Sequence, residues 1–479
     1  MSRHYHVFKN DTQYFVVDTR YVVLAEISKE QFLYLDNLDM EIDEMALILG
    51  MDKAGIVSIK KQFDAIFEQG LFVSEVSEMS EMPDSETGFI AFTPVHACNF
   101  RCKYCFASHG ENYVSIEKQL DEKRIIEALE YMIFKLYKDK KNIRIEMVGG
   151  GENLLAPQII KCILDNAEVM CEKAGKYLDA FILTNGSIMS EEILSVLDRQ
   201  YVGLGISLDG NKETNDYLRP DMKGEGTYDR VLSTVDYIYK NAKNRSVKNV
   251  WGLTVVTSKT KRLMDVLEVF KEHNVNTVQM RVVRIDDESE LSMGGDNLSV
   301  AKRLYREFVD ELKAMIEKGQ IDIIKMILND SDYFGKILVR ILRQEVSNTR
   351  CMAGRNKVSI AANGEIYPCD AFVGVEKYKL GKIGDPVEDL DSDFARISVE
   401  SRSVCSECWA KYMCGGDCHH NSYLHSGDIY EPQKDFCDLQ KYLIELGLEL
   451  ANCISKKEDV AKELVSYVTL RYKINRFMH

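Results

Sequence analysis

Thirteen cysteines dominate the chemistry this 479-residue sequence could perform, and they are unevenly spaced. Cys98, Cys102 and Cys105 form a CxxxCxxC run, and seven more fall between Cys351 and Cys437. Cys162, Cys171 and Cys453 stand apart from both groups. Three thiolates spaced as at 98, 102 and 105 can hold three irons of a [4Fe–4S] cluster and leave the fourth iron open to an exchangeable ligand. A structural zinc site is the competing assignment, but it favours four ligands with paired CxxC spacing.

The remaining composition bounds the setting of that chemistry. Sixty-one Lys and Arg against 76 Asp and Glu give a net charge of −15, which disfavours a nucleic-acid partner. A hydrophobic fraction of 45% excludes wholesale disorder, and the length suits about three domains of ~150 residues. No uncharged apolar run approaches the ~18 residues of a membrane span. The N-terminal residues, MSRHYHVFKNDTQ, carry no secretory h-region. A cytoplasmic chain with reduced thiols and no membrane association is therefore expected, and clustered cysteines there point to metal or redox chemistry.

The elements that must position the cysteines follow from periodicity. Residues 1–73 read as a small α+β unit, with strands at Tyr5–Phe8, Tyr14–Asp18 and Tyr21–Glu26 and helices near 29–37, 41–49 and 53–69. An acidic stretch at 74–87 suits a solvated linker. Strands are expected at Phe89–Thr93, Ile143–Val148, Ala180–Leu183, Val202–Ser207, Val250–Val256 and Thr277–Val283, alternating with helices such as Glu117–Asp139. Six βα units predict an α/β fold whose parallel sheet curls into a partial (β/α)6 barrel, with chemistry at the strand C-termini. Helices connect 301–350, residues 351–440 read as loop-rich, and 438–477 as one terminal helix.

The CxxxCxxC run directly after the first barrel strand, with Tyr104 before its last cysteine, resembles the radical SAM superfamily over about 88–300. The resemblance implies that S-adenosylmethionine chelates the open iron and yields a 5′-deoxyadenosyl radical on reductive cleavage. Supporting motifs follow in order. Gly150-Gly151-Glu152 is similar to the family's GGE, which binds the methionine amino group, although Asn153 replaces the usual proline. Thr184-Asn185-Gly186 ends the third strand and Ser207-Leu208-Asp209-Gly210 the fourth. By the same analogy Tyr104, Asn185 and Ser207 border the cofactor, and Arg230 in Gly226-Thr-Tyr-Asp-Arg230 is a partner for its carboxylate.

The second cysteine group, Cys351-x12-Gly364-x4-Cys369, then Cys405-x2-Cys408-x5-Cys414-x3-Cys418 and Cys437, resembles the SPASM extension of radical SAM peptide maturases. That resemblance implies two auxiliary [4Fe–4S] clusters, three clusters in all. Cys405, Cys408, Cys414 and Cys437 would ligate one fully, and Cys351, Cys369 and Cys418 would hold the other. Sulfatase maturases carry an extra cysteine soon after the first, which Cys351-Met-Ala-Gly-Arg-Asn-Lys357 lacks. The open iron is then filled by another ligand or by a substrate thiolate. Asp370, after Cys369, is a general-base candidate or the cap of a turn. His419 and His420 read as exposed loop residues, with donation to a ligand sulfur as the alternative, and the three stray cysteines as core filler.

The resemblance also implies domains at 1–80 (winged-helix-like leader-peptide recognition), 88–300 (radical SAM partial barrel), 301–350 (helical bridge), 351–440 (cysteine-rich SPASM) and 441–479 (terminal helix). It implies a precursor peptide whose leader adds a strand to the N-terminal sheet, and an electron donor such as flavodoxin or ferredoxin. Residues 1–87 hold seven Lys and Arg against 17 Asp and Glu, a net of −10, which suits a lysine-bearing leader and not DNA. Thioether formation between a cysteine sulfur and an acceptor carbon is the leading reaction. Formylglycine formation is the runner-up; epimerisation or carbon–carbon linkage and a non-catalytic iron–sulfur carrier or sensor are further alternatives.

Overall fold

The computed structural model describes residues 2–74, 85–107, 120–390 and 393–477. Most of the acidic linker, and the first residues of the helix expected from Glu117, lie outside those residues.

Strands β1 (Ser2–Arg3), β2 (Tyr5–Lys9), β3 (Tyr14–Asp18) and β4 (Val23–Ile27) precede helices Lys29–Asp36, Ile42–Leu49 and Lys53–Glu68, and β5 (Val73–Ser74) returns to pair with β1. β2, β3 and β4 form an antiparallel sheet in that order. Alternation along β3 sends side chains to two cores. Val16 packs with Tyr34, Met45, Ile56 and Phe63 of the helices, whereas Phe15 and Val17 join the main core. The unit is consequently sandwiched against the rest of the chain. The His6 ring also stacks on Trp409 with centroids 3.7 Å apart, and its Nε2 lies 2.9 Å from Glu445.

Six parallel strands follow: β6 (Thr87–Phe92), β7 (Asn142–Met147), β8 (Tyr177–Thr184), β9 (Val202–Ser207), β10 (Trp251–Val256) and β11 (Thr277–Val282). Each overlaps its sequence-predicted strand. The crossover helices bury one apolar face, as Pro157–Ala174 does through Ile160, Ile163, Leu164 and Cys171. The first crossover departs from the expected uniform helix. It is α-helical over Glu122–Tyr131 and then widens into a π-turn at Met132–Leu136. The wider turn lets both Ile133 and Tyr137 point inward, where the Tyr137 hydroxyl donates to the Phe89 or Asn356 carbonyl, each 3.1 Å away. Gly88 makes room for that ring: an added Cβ would stand 2.4 Å from it.

The cysteine-rich region is more regular than its composition suggested. β12 (Lys357–Ile360) pairs parallel with β6, and β13 (Glu365–Tyr367) and β14 (Gly381–Lys382) extend the sheet antiparallel, giving the order β11-β10-β9-β8-β7-β6-β12-β13-β14. At the other edge, residues 329–333 occupy the backbone groups of β11. Asn329 Nδ2 donates to Val278 O (2.9 Å), Tyr333 N to Met280 O (3.0 Å), and Met280 N to Asp332 (2.7 Å).

The single terminal helix expected over 438–477 is two helices, Lys434–Ser455 and Glu458–Phe477, and the first already contains Cys437. Lys456 and Lys457 sit at the break and pair with Glu26 and Glu317. Among the described residues no helix is long and apolar enough to cross a membrane. Buried Glu449 ties three parts of the molecule together, accepting from Arg306 (2.8 and 2.9 Å), Lys313 (2.8 Å) and Asn10 (3.2 Å). Burial pushes its pKa up, but the bonds from Arg306 and Lys313 outweigh that and hold it below the ordinary carboxylate value. Glu449→Gln should cost about 2 kcal/mol at neutral pH, less than a fully buried pair because both cations keep some water. The gap to wild type should close in acid, as the native carboxylate protonates below its ordinary range; denaturant unfolding across pH measures both.

Candidate functional site

The loop after β6 that carries Cys98, Cys102 and Cys105 is stitched to the segment after β7 and to the end of the helix Lys212–Leu218 that follows β9. Arg101 N donates to Pro220 O (2.7 Å), Lys103 N to Leu218 O (2.9 Å), and Glu152 N to Ala97 O (2.8 Å). The glycines after β7 serve this approach. An added Cβ on Gly151 would stand 2.2 Å from Ala97 O, and on Gly150, at φ +88°, 2.0 Å from Thr93 Cγ2. What crowds them is the cysteine loop itself.

Glu152 is buried, and its carboxylate accepts from Thr184 Oγ1 (2.6 Å), Leu154 N (3.0 Å) and Asn185 N (2.6 Å). A carboxylate offers about four lone-pair sites, so one remains for an ammonium. Asn153, where the related motif has proline, donates from one amide nitrogen to Met147 O and Leu183 O, both 2.9 Å away. It bridges the ends of β7 and β8, which a proline ring could not do. Asn185 orients the first thiol, reaching Cys98 Sγ at 3.7 Å and Asn99 Oδ1 at 2.8 Å.

Tyr104 is held in a buried network that sequence reading only half found. Its hydroxyl donates to Asp209 (2.5 Å) and accepts from Arg219 (2.7 Å), while Asp209 also accepts from Val255 N (2.9 Å). Burial pushes the Cys102 thiol up to about 12, and the Arg219 charge opposes that rise. No local pattern marks Arg219, since its partners lie elsewhere in the chain. Ser207 lines the cavity described below, whereas Arg230 does not; it sits half-exposed, 3.3 Å from Asp221.

The ten clustered cysteines gather into three sets, within which the thiols act on one another electrostatically. Cys98 and Cys105 act on Cys102; Cys414, Cys405 and Cys408 on Cys437; Cys418 and Cys351 on Cys369. Burial is the first cause raising the pKa of Cys98, Cys351, Cys369, Cys414 and Cys437, and it pushes Cys405 up to about 11. Of the ten, Cys405 is buried, Cys351 is exposed and the other eight are half-buried; thiols so withdrawn from water ionise more readily beside a cation that takes up the charge. Arg402 faces Cys405, Arg350 faces Cys414, Lys357 faces Cys369, and Arg284 Nη1 lies 3.0 Å from Cys418 Sγ. Grouped, half-buried thiols with cations beside them fit iron–sulfur clusters.

A cavity of about 2360 Å3 joins two of the sets. Cys102, Tyr104 and Cys105 line one part, and Cys351, Cys369, Cys418 and Asp370 another, whereas Cys405, Cys408, Cys414 and Cys437 lie off it. It exceeds the ~300–1,000 Å3 of an ordinary small-molecule pocket. Asp370 stands where the barrel meets the cysteine-rich part. Its Cβ would be 3.1 Å from a Cβ on Gly149, and its carboxylate is 4.0 Å from Lys357 Nζ, which in turn binds Glu146 at 2.6 Å.

The two histidines differ from the exposed-loop expectation because both lie in a helix, His419–Ser426, packed on Phe372 and Phe394. His419 Nδ1 is 2.9 Å from buried Arg402, and His420 lines the cavity between Phe106 and Phe372. Cys171 is core, as expected, while Cys162 and Cys453 are half-buried. Asn153→Ala should destabilise the chain by about 1–3 kcal/mol in denaturant unfolding, because two buried strand-end carbonyls lose their shared donor.

Comparison with known proteins places this geometry. The radical SAM superfamily model matches residues 92–267, and the SPASM model, an iron–sulfur cluster-binding domain, matches 351–409. The cysteine-type anaerobic sulfatase-maturating enzyme of Clostridium perfringens is 26% identical over 336 residues, covering 67% of this chain and 85% of that protein. The radical SAM cyclopropyl synthase TigE of Paramaledivibacter caminithermalis is 24% identical over 375 residues, 74% of this chain and 72% of that protein. Native anSMEcpe with bound AdoMet superposes with a TM-score of 0.61 at 20% identity, covering 76% of this chain and 98% of that one, which shows a shared fold. The chain therefore carries a radical SAM domain over residues 92–267, followed by a SPASM iron–sulfur cluster-binding domain over 351–409.

Proposed function

We propose that this radical SAM/SPASM maturase acts on a ribosomal precursor peptide and joins a cysteine sulfur to an acceptor carbon as a thioether. The supporting observation is the shared cavity: the Cys98–Cys105 loop and the three-thiol set border it, and the four-thiol set does not. When bound, S-adenosylmethionine and its cluster supply the power to remove a hydrogen atom from an unactivated carbon. In this reading Cys98, Cys102 and Cys105 hold that cluster, with Glu152 offering its remaining lone pair to the methionine ammonium. Tyr104, Gly150, Gly151, Asn185 and Ser207 shape the surroundings, and Arg230 would have to leave Asp221 to meet a carboxylate. The reaction takes one hydrogen atom from carbon and one proton from the thiol, forms one C–S bond, and leaves one electron to be accepted. A centre at Cys351, Cys369 and Cys418 with one iron free of cysteine suits a substrate thiolate beside that cavity. The closed set at Cys405, Cys408, Cys414 and Cys437 suits electron exchange with a flavodoxin- or ferredoxin-like donor in the cytoplasm.

A second reading, oxidation of a cysteine or serine to formylglycine, is favoured by Asp370 on the cavity wall and by the named activity of the sulfatase-maturating relatives. Mass spectrometry of a cysteine-rich peptide after anaerobic reaction with S-adenosylmethionine and a reductant separates them. Loss of two hydrogens per link, with the sulfur retained and resistant to alkylation, is the expected result. Loss of sulfur with an aldehyde that reacts with hydrazide would replace the thioether reading. Asp370→Asn should lower peptide turnover by about 10²-fold or more while reductive cleavage of S-adenosylmethionine continues; undiminished turnover would remove Asp370 from the mechanism.

The N-terminal unit is proposed to hold the leader along the edge of β4, whose Ala25 and Glu26 are exposed. Deleting residues 1–80 would strip Phe15 and Val17 from the main core, so the full chain is the better subject. Amide hydrogen exchange should show protection gained at β4 when a lysine-bearing leader is added. Unchanged exchange at β4, with peptide still bound, would count against this docking.

A further inference from the structure

Among the described residues Arg284 is the barrel cation that reaches directly to a sulfur of the second cysteine group: its Nη1 lies 3.0 Å from Cys418 Sγ. It follows β11 by two residues, and the backbone before it is pinned, Val283 N donating to Val256 O at 2.9 Å. Elsewhere on the cavity wall Arg144 pairs with Glu146 and Asp179 and Lys357 with Glu146, while Arg281 donates to Gln279 Oε1 (3.2 Å) and Lys336 to the Arg350 carbonyl (3.4 Å). Among the described residues Arg284 forms no ion pair with a carboxylate, and the sulfur is its hydrogen-bond partner. Its side chain is nonetheless accessible from the cavity, on the wall that carries Cys351, Cys369 and Cys418.

Charge counting says what such a group does. Three thiolates on a [4Fe–4S]2+ core carry a net −1, and one-electron reduction makes it −2. A guanidinium fixed at hydrogen-bond distance stabilises the more negative state more, so it raises the reduction potential. Charge assistance strengthens the N–H···S contact, and the planar fork of arginine holds it in one direction where a lysine ammonium would swing.

Building on the reading that Cys351, Cys369 and Cys418 hold an auxiliary cluster, we propose that Arg284, held just beyond the end of β11, sets that cluster's reduction potential through Cys418. The consequence is a centre better able to accept an electron than its three thiolates alone would make it.

The experiment uses the full chain, reconstituted anaerobically, with Cys98, Cys102 and Cys105 replaced by alanine so that only the two auxiliary centres remain. Iron and sulfide analysis accompanies a redox titration followed by electron paramagnetic resonance. Arg284→Gln should keep the parent iron content and move one of the two midpoints negative by about tenfold in the reduction equilibrium, ~59 mV for one electron. Arg284→Lys should recover part of that shift, and the second midpoint should stay in place. Parent iron content with both midpoints unchanged in Arg284→Gln overturns the proposal. Loss of four irons in both Arg284 variants also overturns it, since the residue would then be a clamp and not a tuner. The underlying ligand assignment fails separately: Cys418→Ala with undiminished iron and an unaltered spectrum would refute that, whatever Arg284 does.

Discussion

The site answers to one difficulty, the crowding of half-buried thiols inside a chain that is already acidic. A thiol taken out of water resists ionisation, and neighbouring thiols make each further ionisation harder. The structure meets this with cations fixed by packing: Arg219 beside Cys102, Arg350 beside Cys414, Arg402 beside Cys405, Lys357 beside Cys369 and Arg284 against Cys418. Arg219 and Arg402 are buried and could not be left unpaired without a large desolvation cost, whereas Arg284 is accessible from the cavity. Cations and thiols are therefore one system, and replacing either half alone strands the other.

The same logic explains why the first cysteine loop is so tightly sewn to its neighbours. Three thiols can hold three corners of a cluster only if their backbone does not relax away from it. Hydrogen bonds from Arg101, Lys103 and Glu152, and the missing side chains of Gly150 and Gly151, hold the end of β7 and the helix after β9 against that loop. Asn153 then braces the ends of β7 and β8 against each other. Rigid strand termini hold the cofactor-facing groups more narrowly than free loops would.

Legibility in the sequence divides along the range of the interaction. The cysteine runs, the glycines after β7 and the six barrel strands were readable because their spacing is local, set by ligand geometry or by a period-two apolar pattern. Arg219, Arg284 and Lys357 were not, since each is one basic residue whose partner lies far away in the chain. Asn153 looked like a departure from a motif, and its work as a bridge emerged only once Met147 and Leu183 were seen together. The π-turn at Met132–Leu136 escaped because its residues fit an α-helical pattern equally well, and the choice is made by the pocket waiting for Tyr137. The break after Ser455 was hidden for a like reason: two lysines are good helix formers, and only their distant glutamates draw them out.

The pairing of β12 with β6 has a consequence for how such proteins diversify. Lys357–Ile360 lies in register with Phe89–Phe92, so the cysteine-rich part continues the same hydrogen-bonded sheet as the strand that launches the first cysteine loop. Cys98 follows one of these two neighbouring strands, and Cys351 and Cys369 flank the hairpin built on the other. The spacing between two redox centres is thereby written into a ladder of peptide groups, and no hinge is needed to hold it. Grafting a foreign cysteine-rich segment onto this barrel would succeed only if the graft brought that strand along. A slip of one residue would turn its side chains to the opposite face and alter the gap an electron has to cross.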